Sequence, residues 1–171
     1  MRTGLERQRW LQLLAELYEQ TGHPRGELKI CTSCAEAPCE VGPEQVTLLP
    51  FEDEFIRSRL AAEGRSVTLA EVQAIAGCEH CPFFVSRRCS IHPHRPIDCR
   101  TYPLVPTFVA EDEFEFTVSG VCPLRSGVDR PFIQLMKDVW SKLLPLLSAD
   151  WKGDYAARQP SDKLEKLVNL P

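Results

Sequence analysis

The chain has 171 residues, of which 43% are hydrophobic and 26% are charged. This length and composition indicate one globular domain that can bury its own core without disulfides. The formal net charge is −4, from 20 basic and 24 acidic residues, which is too small to indicate a nucleic-acid or membrane partner. No apolar run approaches the roughly 20 residues of a membrane helix, and the start of the chain lacks the apolar core of a signal peptide. We therefore expect a cytoplasmic protein without membrane contact; an unknown protein partner stays open, and nucleic acid is the weakest alternative.

The first third of the chain predicts two helices separated by a loop that contains cysteines. Apolar residues at three- and four-residue spacing predict a helix over residues 4–21. Residues 31–43 hold too many proline, glycine and small polar residues for regular structure, so we interpret them as a loop. Pro50 then opens a second helix over residues 51–64, with acidic side chains in its first turn.

The middle of the chain predicts short elements. Thr68 and Glu71 form a capping box that predicts a short third helix. Two apolar runs within residues 82–91, separated by Ser-Arg-Arg, predict a hairpin. Pro96 then starts a single helical turn that reaches Arg100.

The last third predicts a second hairpin and a long helix. Residues 107–119 alternate around an acidic turn, as strands of a hairpin do. Residues 131–149 predict the C-terminal helix, which Pro145 kinks or ends. Residues 161–168 predict a short exposed helix.

These elements together predict an α+β fold in one small domain over residues 1–171. We expect an irregular, cysteine-rich, metal-binding core at about residues 28–125. The N-terminal helix 4–21 and the C-terminal helix 131–149 flank that core, and one or two short hairpins complete it.

Eight cysteines are the main chemical signal of the sequence. Two C-x2-C pairs each deliver two thiolates from one tight turn, and thiolates bind borderline and soft metals. No cysteine follows a regular helical or strand period, which argues against simple core filling, and the expected cytoplasmic location argues against disulfides. We therefore predict that all eight are metal ligands: Cys31, Cys34, Cys39, Cys78, Cys81, Cys89, Cys99 and Cys122.

Histidines and arginines accompany the thiols. His80, His92 and His94 lie between candidate ligands, and we favour a structural role for each over a role as ligand. A centre with four thiolates carries a net charge of about −2, whether it holds Zn²⁺ or a [4Fe–4S]²⁺ cluster. Such an anion needs donors and counter-charge. We therefore expect Arg95 and Arg100 to brace the loop around the centre, through backbone carbonyls or by pairing with the thiolates.

The stretch CSIHPHRPIDCRTYPL, together with CPFF before it, resembles the YkgJ-type cysteine-cluster family, a zinc- or iron-chelating domain with a CxxCxxCC signature. The resemblance runs from the first cysteine of the chain to the last. The residues that take the family's positions in that stretch are Cys89, Arg95, Pro96, Cys99, Arg100 and Pro103.

The chain departs from the family pattern at three positions. Glu40 stands where the family's first cluster closes with a second adjacent cysteine, and His92 replaces a tyrosine. Cys78 is an additional thiol, so one ligand has moved from the position of Glu40 to Cys78 if the number of ligands is kept. The resemblance implies a metal or iron–sulfur role and implies little about a reaction.

Three functions stay open from the sequence. The first is a bacterial cytoplasmic protein whose cysteines hold iron, most simply as a 4Fe-4S cluster, in one or two centres. The second is a structural zinc module for partner recognition, because thiolates suit zinc as well as iron. The third is a methyltransferase-like enzyme, since a relative of the domain occurs in flagellin lysine methylases; against it, the chain has no Gly-rich strand-to-helix turn for a nucleotide-type cofactor. Whether the protein is an enzyme stays open.

Overall fold

The computed structural model describes residues 4–22, 45–77, 81–86, 88–120, 122–159 and 164–167. Within these ranges, helices and two small antiparallel sheets form one small α+β domain, which confirms the predicted fold class. Helices in the described part of the chain are too short or too polar to cross a membrane.

The first described helices form where the apolar periodicity predicts them. Helix α1 spans Gly4–Thr21 and buries one stripe of side chains against the core: Trp10, Leu14, Leu17, Tyr18 and Thr21. Helix α2 spans Glu52–Ala62, and helix α3 spans Leu69–Gln73. The capping box predicted at the start of α3 is present, because Thr68 and Glu71 each bond the backbone N–H of the other.

A short hairpin and a single helical turn follow α3. Strands β1 (Phe84–Val85) and β2 (Arg88–Cys89) pair in antiparallel fashion, as predicted for residues 82–91. A 3₁₀ turn at His92–His94 leads into helix α4, Ile97–Thr101. Pro96 precedes α4 as predicted, since a fixed φ suits the start of a helix.

The second sheet has three antiparallel strands in the order β3-β4-β5. Strands β3 (Leu104–Ala110) and β4 (Glu113–Ser119) form the predicted second hairpin. Strand β5, Leu164–Lys166, pairs with β4. The prediction of a short helix over residues 161–168 is therefore wrong where the structure describes that segment, because the open edge of β4 supplies backbone partners that outweigh the weak helical preference of this short stretch.

The C-terminal helical region is divided into three pieces. Helix α5 spans Arg130–Leu143, a 3₁₀ turn covers Leu144–Leu146, and helix α6 spans Ala149–Ala157. The sequence predicts a helix over residues 131–149 that Pro145 kinks or ends, and it does not predict the second helix. Pro145 lacks a backbone N–H and ends α5, and the Ser148 side chain caps the new helix by accepting from the Trp151 N–H.

The core of the described residues is aliphatic and aromatic. Four aromatic rings from α5, α6 and β3 pack together with centroids 5.3–6.4 Å apart: Phe108, Trp140, Trp151 and Tyr155. Cys81 and Cys89 are partly buried and pack against the core. The described part of the chain therefore has a conventional hydrophobic core, and these two thiols lie against it.

One buried carboxylate joins three parts of this fold. Glu52 is fully buried at the start of α2. It accepts hydrogen bonds from the Tyr18 hydroxyl in α1 at 2.9 Å, the Ile97 N–H in α4 at 2.8 Å, and the Leu49 N–H at 2.9 Å. Burial raises the pKa of Glu52 above its ordinary value, although the three donors oppose that shift. The carboxylate thus fixes α4 against α1.

We predict that Glu52→Gln lowers the free energy of unfolding by about 1–3 kcal/mol, because an amide N–H₂ would face one of the three buried donors and leave it unpaired. Urea unfolding at pH 7 measures this loss. The control is Glu54→Gln, which removes only a surface ion pair with Arg7 and should cost about 0–1 kcal/mol. Equal losses in the two variants would contradict the role of Glu52.

Candidate metal centre

The structure describes four of the eight predicted ligands. Cys81 lies just before β1, Cys89 is in β2 and Cys99 is in α4, and all three are partly buried. Cys122 follows β4 and is buried. None of these four is in a disulfide, so each is available as a thiolate ligand in chemical terms.

The remaining candidates lie outside the described residues: Cys31, Cys34, Cys39, Cys78 and His80. Among the described residues alone, no three Cys, His, Asp or Glu side chains come together in a way that could hold a metal ion. The described thiols therefore fit a thiolate centre in chemistry but do not complete one by themselves. The predicted ligand set stays a prediction.

Arg100, next to Cys99, makes the densest set of contacts in this region. Its guanidinium donates to the backbone oxygens of Arg95 at 2.9 Å, Pro93 at 2.6 Å and Gly22 at 2.9 Å. It also donates to the Thr21 hydroxyl at 3.0 Å. Because Thr21 is the last residue of α1 and Gly22 follows it, Arg100 anchors the C-terminal end of α1.

The positive charge of Arg100 is buried rather than solvated. The side chain is only 3% exposed, and its guanidinium carbon lies 4.1 Å from the centre of the Tyr18 ring. Burial lowers the pKa of Arg100, whereas negative charge on Tyr18, Glu52 or Cys99 would oppose that shift. A thiolate at Cys99 would therefore be stabilised by a cation that is already in place.

Asp98 precedes Cys99 and binds Thr47, which follows residues 23–44 in the chain. Its Oδ2 accepts from the Thr47 N–H at 2.9 Å, and its Oδ1 accepts from the Tyr155 hydroxyl at 3.0 Å. The two neighbours of Cys99 thus bind both flanks of residues 23–44, the part of the chain that carries Cys31, Cys34 and Cys39.

Gly77 precedes Cys78, the first cysteine of the second segment, and it lies close to the Thr47 region that Asp98 binds. The Gly77 N–H donates to the Val46 oxygen at 3.2 Å, one residue before Thr47. Gly77 has a φ of +69°, and a Cβ there would lie 2.5 Å from Nη1 of Arg158. The backbone conformation favours glycine at this position, and an added Cβ would displace the flexible end of the Arg158 side chain.

The described histidines have protein partners. Nε2 of His94 lies 2.7 Å from Oε1 of Glu63. Nε2 of His92 lies 2.6 Å from Nη1 of Arg95, and because a guanidinium can only donate, this nitrogen of His92 accepts. The structural role that the sequence favours for these two histidines stays a prediction.

Several residues of this arrangement carry no signal in the sequence. Asp98 lies inside the cysteine stretch, but its spacing does not indicate that it bonds Thr47. Tyr155 and Arg158 are more than 50 residues away along the chain and reach the site only through the packing of α6. Patterns of nearby residues cannot predict such long-range contacts.

A comparison with protein-family models identifies the family of this chain. Residues 29–123, more than half of the chain, match the family model described as "CxxCxxCC: Putative zinc- or iron-chelating domain". The chain belongs to this family. No curated protein and no solved structure matches the chain. The CxxCxxCC match supports metal binding and does not distinguish zinc from iron.

Residues on both sides of the CxxCxxCC match contact it. Tyr18, Thr21 and Gly22 precede the matched residues, and they stack on or accept from Arg100. Tyr155 and Arg158 follow it. The flanking helices α1 and α6 of this chain therefore support the matched region directly.

We predict that Arg100→Gln loses about 2–4 kcal/mol of unfolding free energy, because several carbonyls lose a charged donor. Thermal and urea unfolding measure the loss, and elemental analysis of the purified variant should show less bound metal than the wild type. Arg88→Gln is the control, since Arg88 is exposed on β2. Unchanged stability and metal content in Arg100→Gln would contradict the bracing role.

Proposed function

We propose that this chain binds iron as an iron–sulfur cluster, in a centre that includes the Cys99 thiolate. The observation that carries this proposal is the anchoring around Cys99. Asp98 and Arg100 bond the two flanks of the first cysteine segment, and Gly77 brings the start of the second to Val46. The described flanks of cysteine segments that are far apart in the sequence therefore meet near one short helix, which supports a shared centre.

The donor chemistry supports iron–sulfur or zinc over a hard cation. The predicted ligands are all thiols, whereas Mg²⁺ and Ca²⁺ take oxygen ligands. Cys89 and Cys99 lie on short elements, Cys81 lies just before β1, and all three are partly buried. We propose that they serve as ligands alongside Cys31, Cys34, Cys39 and Cys78. Cys122 is the predicted terminal ligand. An iron–sulfur cluster, when bound, supplies one-electron redox chemistry.

The buried cation beside Cys99 supports an anionic centre. Arg100 is held by carbonyls, a hydroxyl and an aromatic face, and it balances part of the net charge of about −2 that a four-thiolate centre carries. Arg95 lies close enough for its own carbonyl to accept from Arg100. The Arg95 guanidinium donates to Nε2 of His92, and we propose that it adds counter-charge at the edge of the metal centre.

Zinc is the alternative that the same thiols would hold, and it would make the protein a structural module for a protein partner. Anaerobic purification followed by elemental analysis, acid-labile sulfide and a visible spectrum separates the two. Iron with sulfide and a broad brown absorbance supports the cluster. Stoichiometric zinc without colour replaces it with the structural module, and the absence of both metals overturns metal binding.

We predict that Cys99→Ser loses bound metal and lowers the melting temperature of the metal-loaded protein, because the free energy of metal binding is partly folding free energy. The control is built into the measurement: the metal-free wild type and metal-free variant should differ much less than the two loaded proteins. Equal melting temperatures and equal metal content in the loaded proteins would contradict the assignment of Cys99.

A further inference from the structure

The end of helix α6 and the two residues after it lie against three described segments that are close in the chain to cysteines. Tyr155 donates to Asp98, next to Cys99. The Arg158 oxygen accepts from the Gln45 N–H at 3.4 Å, and Nε2 of Gln159 donates to the Gln45 oxygen at 3.4 Å. Nη1 of Arg158 also lies where a side chain on Gly77 would begin. We call Tyr155, Arg158 and Gln159 the α6 latch.

We propose that the α6 latch is a positioning element of the metal centre, so that docking of α6 and binding of metal stabilise each other. This inference rests on the proposed metal centre. It follows from connectivity, because Gln45, Gly77 and Asp98 lie close in the chain to predicted ligands. The latch bonds Gln45 and Asp98, and its Arg158 side chain lies beside Gly77. A change in the placement of these segments must therefore change the contacts of the latch.

The contacts of the latch differ in length. Its two bonds to Gln45 are both 3.4 Å long, beyond the usual 2.7–3.2 Å for N–H···O bonds, whereas the Tyr155 bond to Asp98 is 3.0 Å long. Within the described residues, the buried Oε1 of Gln159 has no protein hydrogen-bond partner. The contacts to Gln45 are therefore the weaker part of the latch.

Tyr155 joins the latch to the core. It is 1% exposed, and its ring stacks on Trp151, whose indole N–H donates to the Leu48 oxygen at 3.0 Å. Arg158 and Gln159 follow the last residue of α6 and are only partly buried. Segments with few good bonds, such as these two residues, open locally without global unfolding.

Linkage between two sites is reciprocal, so the coupling has two consequences. Metal binding should slow the opening of α6, and full undocking of α6 should weaken metal binding by the same factor. A partner that binds the end of α6 in its undocked form would therefore promote release of the metal. This gives the C-terminal helix a regulatory role that metal ligation alone does not imply.

Hydrogen exchange measured by mass spectrometry tests the latch on the full chain, as purified anaerobically with its metal and after stripping with a chelator. In the wild type we expect amides of α6 to exchange roughly tenfold more slowly when metal is bound, within the range of known couplings between sites. In Tyr155→Phe this ratio should fall to about threefold or less, because one hydrogen bond between α6 and α4 is lost. Chelator competition should show correspondingly weaker metal retention.

Two matched controls separate a latch from a merely structural residue. Tyr102→Phe also removes a tyrosine hydroxyl, which donates to Ser119 at 2.9 Å, and should keep the wild-type ratio. Gly77→Ala and Gly64→Ala impose similar backbone strain, since φ is +69° and +75°, but only Gly77→Ala meets Arg158. Only Gly77→Ala should lower the ratio.

The outcomes are distinct. A lower ratio in either Tyr155→Phe or Gly77→Ala, relative to its control, supports the latch. Equal ratios within both pairs overturn it, as does a wild type whose α6 exchanges at one rate with and without metal. Equal acceleration of α5 and α6 on stripping also overturns it, because the metal then stabilises the whole fold. A chain in which elemental analysis finds no metal overturns the metal centre, and the latch with it.

Discussion

The structure depends on the hydrogen bonds that surround the five residues of α4. A helix this short has little stability of its own, because the first turn costs more entropy than its bonds return. Here its neighbours hold it: Glu52 accepts from the Ile97 N–H, Asp98 accepts from Thr47 and Tyr155, and Thr101 accepts from the Trp140 indole N–H. Cys99 is thereby held in place by residues on both sides.

Arg100 extends the same constraint to segments without regular structure. Backbone groups outside helices and sheets still need partners when they are buried. The carbonyls of Pro93, Arg95 and Gly22 find one in a single guanidinium, whose planar fork suits several acceptors at once. A lysine could not replace it, because a single ammonium does not present donors in these separate directions. In these segments a side chain thus supplies the hydrogen bonds that neighbouring strands supply to one another in a sheet.

The sequence predicts most local features of the described fold, because local features have local causes. The apolar period of α1, the capping box of α3, the two hairpins and the turn after Pro96 all appear where the pattern places them. The helix expected over residues 161–168 does not, because strand pairing with β4 depends on tertiary contacts that no window of sequence contains. Only one part of the division of the C-terminal helical region can be predicted from the sequence. Pro145 indicates where the first helix breaks, but no pattern indicates that a second helix starts after Ser148.

The candidate site was predictable in composition and not in geometry. The residue types at Cys89, Cys99 and Arg100 indicate metal chemistry and a nearby counter-charge. The roles of Asp98, Tyr155 and Arg158 depend on how α6 packs against α4, and nothing in their spacing indicates it. The family match covers residues 29–123, so the support from α6 lies outside the matched region.

X-ray absorption at the edge of the bound metal, compared between wild type and Cys99→Ser, tests the central claim most directly. If α4 positions Cys99 as a ligand, the wild type should show sulfur neighbours at roughly 2.3 Å, the usual distance from a thiolate to zinc and similar metals, and the variant should lose about one of them per centre. Nearest neighbours of nitrogen or oxygen only, or a sulfur shell unchanged in Cys99→Ser, would contradict the account.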